Sequence, residues 1–159
     1  MANMVLNIAL GRVAELYNRV DSNDPTNSVL VVVVFNAGDT DATIRDTDTI
    51  AAIEALASTA EVANSGYARK VLSDTDLTAF SPDDTNDRVD LVIADQTWTA
   101  VADGTAWTDV CIAYDSDSTG GTDSGIVPMT WHDFAVTPNG GDITMDVPTA
   151  GFYRATSAT

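Results

Sequence analysis

The chain has 159 residues, with 24 acidic against 7 basic side chains and a formal net charge of −17. One domain's length excludes a large multidomain machine, and so few Lys and Arg argue against binding to nucleic acid or to an anionic membrane surface. At 45% hydrophobic residues the chain is too apolar for an acidic disordered tail, so it folds.

In chain order, residues 5–20 carry two periodicities. Val13, Leu16, Tyr17 and Val20 have helical spacing, while Ala14, Leu16, Asn18 and Val20 alternate. The segment is read as a strand, with residues 1–9 as an extended arm. Asp21-Ser22-Asn23-Asp24-Pro25 breaks it. Residues 28–36 hold five Val in an unbroken apolar run, the pattern of a strand buried on both faces. Residues 46–58 read as the single helix, capped by Asp46 or Asp48 and striped by Ile50, Ile53, Leu56 and Ala57. Strands are expected at Tyr67–Leu72, Leu77–Phe80, Val89–Ile93, Trp98–Val101, Asp109–Tyr114, Ile126–Thr130, Phe134–Thr137, Ile143–Val147 and Phe152–Ala155. The expected fold class is mainly β: a single β-sandwich or barrel-like, jelly-roll-type domain over residues 13–159, preceded by an N-terminal arm at 1–12.

The acidity is almost all aspartate, 21 Asp against 3 Glu, beside 21 Thr. Asp favours caps and turns and Thr favours strands, so the charge belongs in loops between strands. Seventeen uncompensated charges repel one another in dilute salt. At molar salt the Debye length falls to roughly 3 Å, so this composition fits a protein working in concentrated salt. The apolar start is short, broken by Asn7 and lacks a basic leader, so it is not read as a signal peptide. The longest apolar run, Val29 to Phe35, is too short to span a bilayer.

Catalytic constellations are scarce. The single His132 would have to serve as the base of any Ser- or Cys-based triad, with Cys111 and Asp133 as nominal partners, and no G-x-S-x-G elbow is present. No enzymatic role is expected. One Cys and one His make a poor zinc set, and no cofactor is expected. Asp115-Ser116-Asp117-Ser118-Thr119-Gly120 matches the first half of a calcium loop, but Ile126 stands where the bidentate Glu belongs. Asp115 and Asp117 are therefore the nominal cation ligands in what reads as a solvated turn, as does the Asp83, Asp84, Asn86, Asp87 cluster. Trp98, Trp107, Trp131, Tyr114, Phe134, Phe152 and Tyr153 suit a β core better than a sugar-stacking surface.

A resemblance runs through most of the chain. Its residues are Asp83-Asp84-Thr85-Asn86-Asp87-Arg88-Val89-Asp90, Asp95-Gln96-Thr97-Trp98-Thr99-Ala100 and Val110-Cys111-Ile112-Ala113-Tyr114-Asp115. They continue with Ile126-Val127-Pro128-Met129-Thr130, Trp131-His132-Asp133-Phe134-Ala135-Val136-Thr137-Pro138-Asn139-Gly140 and Gly151-Phe152-Tyr153-Arg154-Ala155. Asn7-Ile8-Ala9 and Gly11-Arg12-Val13 extend it to the start. In this order the series resembles the minor capsid or head decoration proteins of tailed viruses. The resemblance implies a β-sandwich-like virion protein on the outer surface of the capsid, bound to the major capsid protein and to itself, with a trimer favoured. Together with the acidity, it points to a halophilic host. The apolar segment with Met4, Val5, Leu6, Ile8, Leu10 and Arg12 is the expected capsid anchor. The alternative is a viral fibre or receptor-binding β-module that takes calcium or glycan.

Overall fold

The computed structural model describes residues 3–157. Ten strands form: β1 (Met4–Val5), β2 (Val29–Ala37), β3 (Thr59–Glu61), β4 (Lys70–Leu72), β5 (Arg88–Leu91), β6 (Gln96–Trp98), β7 (Trp107–Asp115), β8 (Val127–Val136), β9 (Ile143–Met145) and β10 (Tyr153–Thr156). Three short α-helices interrupt them: α1 (Val13–Asp21), α2 (Asp41–Arg45) and α3 (Ile50–Glu54). The central sheet has six strands, running β1-β8-β7-β2 and ending with β3 and β4 side by side on the far edge of β2. Two ribbons, β5–β10 and β6–β9, lie off it. Every pairing is antiparallel. The fold is mainly β and sandwich-like, with sheets that do not close.

The valine run explains the layering. Successive side chains of a strand point to opposite faces. Leu30, Val32 and Val34 join Val110, Ile112 and Tyr114 on one face, and α1 and the two ribbons cover it with Leu16, Tyr17, Leu91, Ile93 and Trp98. Val29, Val31, Val33 and Phe35 join Cys111, Ala113 and Trp131 on the other, and α2 and α3 cover it with Ile44, Ile50 and Ile53. The two-sided burial read from residues 28–36 is what the structure has: all seven residues from Val29 to Phe35 are buried.

Several expectations are corrected. The strand read across residues 5–20 is instead the helix α1, whose Val13, Leu16, Tyr17 and Val20 are all buried. The helical stripe prevails because α1 lies on the sheet. There the Tyr17 hydroxyl, 2.6 Å from the Thr78 carbonyl oxygen and 2.7 Å from that of Val92, ties it to the neighbouring strap. The helix read over 46–58 is only α3, and Thr49, not Asp46 or Asp48, caps it through the Ala52 amide. Leu77 makes a lone bridge to Ile93 rather than a strand. The strands expected at 126–130 and 134–137 are one, β8, running through Trp131-His132-Asp133.

Candidate functional site

The expected anchor residues lie at the rim of the central sheet. Met4 and Val5 pair with Trp131 and Thr130 as the edge strand β1. Leu6 is wholly buried and its amide donates to the Met129 carbonyl. Met4, Val5 and Ile8 are half-buried, Arg12 is exposed and Leu10 is 61% exposed. The segment is thus not a free extended arm: residues 7–9 form a 3-10 turn with Ala9 in the core. Beyond Trp131, the outer side of β8 carries no paired strand among the described residues, although the Asp133 amide donates to the Asn3 side chain.

A cavity of about 420 Å³ opens between the sheet and the segment linking β9 to β10. Val110, Ile112 and Met145 form its buried floor, and His132, Phe134, Val147 and Phe152 its half-buried walls. Exposed Asn3, Asp133, Thr144 and Asp146 stand at its mouth. Gly151 lets this segment close on β5. Its φ is +77°, and a Cβ there would sit 2.0 Å from the Leu91 carbonyl oxygen.

His132 faces this cavity, with Nε2 2.9 Å from the Thr130 hydroxyl. Burial lowers its pKa, against the pull of Asp133, and so favours the neutral ring. Cys111 lies on the opposite face of the sheet, in the α2–α3 core, and its burial pushes the thiol pKa well up. The two nominal partners of a Cys–His pair are therefore separated by the sheet.

A charged hub on the other side escaped the sequence reading. Arg69 reaches Glu61 at 2.6 Å, Asp123 at 2.5 Å and Glu54 at 2.8 Å. It gathers β3, α3 and the loop before β8, which the Ile50 and Ala51 amides also hold through the carbonyls of Ile126 and Asp123. The hydrogen bond to Arg69 holds the Asp123 carboxyl below its usual range. Glu54 is pushed up, first by burial and then by Asp123. Three carboxylates thus share one guanidinium, and their separations in sequence left no local signal.

The nominal calcium loop is used internally. Asp115 Oδ1 accepts from the Asp117 amide, and Asp117 Oδ1 accepts from the Thr119 amide and hydroxyl. Asp83 likewise caps Thr85 and Asn86. Among the described residues no group of three or more His, Cys, Asp or Glu is placed to hold a metal ion, and no helix is long and apolar enough to cross a membrane. The three indoles are core residues, each N–H satisfied: Trp98 by the Ala68 carbonyl, Trp107 by Asn64 and Trp131 by Asp109. Searches of family models, curated proteins and solved structures each find no match to the chain.

Proposed function

We propose that the protein is a virion structural protein that decorates the outside of a viral head by binding the major capsid protein, and that it assembles with itself, as a trimer. The observation that carries this reading is the sheet rim. The residues that resemble the opening of head decoration proteins, 7–9 and 11–13, directly follow the edge strand β1 at the rim of the central sheet, with Leu10 between them standing out into solvent. An edge strand such as β1, with an exposed apolar side chain close by, suits docking by a partner chain. The anionic surface keeps such a body soluble and away from packaged nucleic acid. The fibre alternative drew on surface aromatics, and Trp107 and Trp131 are 1% and 0% exposed.

The test uses exposed positions, because deleting residues 1–9 would remove the buried Leu6 and Ala9. Heads lacking the protein are incubated with wild type or with a Leu10→Asp, Arg12→Glu double variant. Occupancy is read by electron microscopy, and self-association by light scattering. The expected result is a tenfold or greater loss of occupancy by a variant with an unchanged unfolding midpoint. Full occupancy by the variant, or no wild-type binding, overturns the reading.

A further inference from the structure

The 420 Å³ cavity between β8 and the β9–β10 segment lies within the range of small-molecule sites, roughly 300–1,000 Å³. Its chemistry is one-sided. The floor is aliphatic and sulfur-bearing, and two walls are the phenyl rings of Phe134 and Phe152. Among the described residues lining it none is Lys or Arg. Asp146 stands exposed at the mouth, and Asp95 brings a second carboxylate to the same wall by accepting from the Val147 amide at 2.7 Å. Burial keeps the His132 ring neutral, so the wall adds no positive charge.

An organic anion would meet carboxylates and no basic partner. A fully apolar molecule would leave the acidic mouth unused. A molecule with an apolar body and a protonated amine meets both, because phenyl faces and carboxylates each attract a cation. We propose that this cavity is a binding site for a small amphiphilic organic amine, its body on Val110, Ile112 and Met145 and its ammonium toward Asp146. The cavity shares Asn3 and the His132–Phe134 stretch of β8 with the sheet rim, but the proposal does not need the capsid reading to hold.

The test is an amide NMR titration of the full chain with phenethylamine and, in parallel, with phenylacetate. Phenethylamine is expected to give saturable shifts at His132, Phe134, Met145, Val147 and Phe152, with phenylacetate at least tenfold weaker. Asp146→Asn should weaken the amine about two- to fivefold, the weight of one exposed ion pair. Asp146→Lys should weaken it further and favour phenylacetate. Asp146 is exposed, so both variants should keep the wild-type unfolding midpoint. Equal binding of the two probes overturns the proposal. So does unchanged amine affinity in both variants, or amine shifts spread over residues 83–87 and 115–123 instead of the cavity.

Discussion

Replacing Arg69 by Met tests the charged hub directly. The Arg69 side chain is 23% exposed and holds Glu61, Asp123 and Glu54 at 2.6, 2.5 and 2.8 Å. An exposed ion pair contributes about 0–1 kcal/mol, whereas stripping one partner from a buried pair costs about 3–5 kcal/mol. The hub lies between these limits and leaves three carboxylates facing one another, so the expected loss is about 3 kcal/mol. At about 2–4 °C per kcal/mol for a chain of this size, the melting temperature should fall by about 6–12 °C. Urea unfolding in low salt and again in 1 M KCl is the assay. Because the Debye length is then about 3 Å, salt should recover about half of the loss. A Glu54→Gln background should reduce it as well. Burial raises the Glu54 pKa, so its stabilising share is present below the ordinary 4.5 and is lost as pH rises through the folded value. At neutral pH the Glu54 charge therefore opposes folding. A loss below about 0.5 kcal/mol, or one indifferent to salt, would refute the reasoning.

Two further outcomes follow from burial. Leu6→Ala should cost about 3 kcal/mol in urea unfolding, because Leu6 is wholly buried in the core cluster that also holds Phe35, Ile126 and Trp131; a cost under 0.5 kcal/mol would mean that the segment is not part of the body. His132 is held neutral, so its contribution should be intact above pH 6.5 and lost as pH falls from there through the lowered folded value; its titrating neighbour is Asp133 and its hydrogen-bond partner is Thr130. Unfolding midpoints at pH 7.5 and 5.5 should therefore differ more in wild type than in a His132→Gln variant, and equal differences would count against a buried neutral ring.

Legibility tracked how local each signal was. The run Val29–Phe35 announces a two-faced strand because no residue in it tolerates water on either side, and β2 sits at the centre accordingly. Residues 13–20 satisfy both periods, and the decision lies in tertiary contacts: the alternating set needs Asn18 equivalent to Leu16, yet Asn18 is exposed and Leu16 buried. The helix expected at 46–58 stops at Glu54, and Thr59 then pairs into β3 with its hydroxyl bonded to Asp39. The Asp-rich loops were legible as turns, since Asp83, Asp115 and Asp117 each cap backbone two or three residues on. The cavity was not, because its walls come from residue 3, β7, β8 and the 144–152 segment, and only the folded sheet brings these together. The Arg69 hub was hidden for the same reason: its partners lie 8, 15 and 54 positions away.

Cys111 has a practical consequence. It is the only cysteine in the chain, fully enclosed in β7 with strands hydrogen-bonded on either side and helices over its face. A thiol reagent reaches it only when β7 leaves the sheet, an event equivalent to losing both cores at once. The rate at which a maleimide consumes this sulfur therefore times whole-molecule opening. It needs no introduced label.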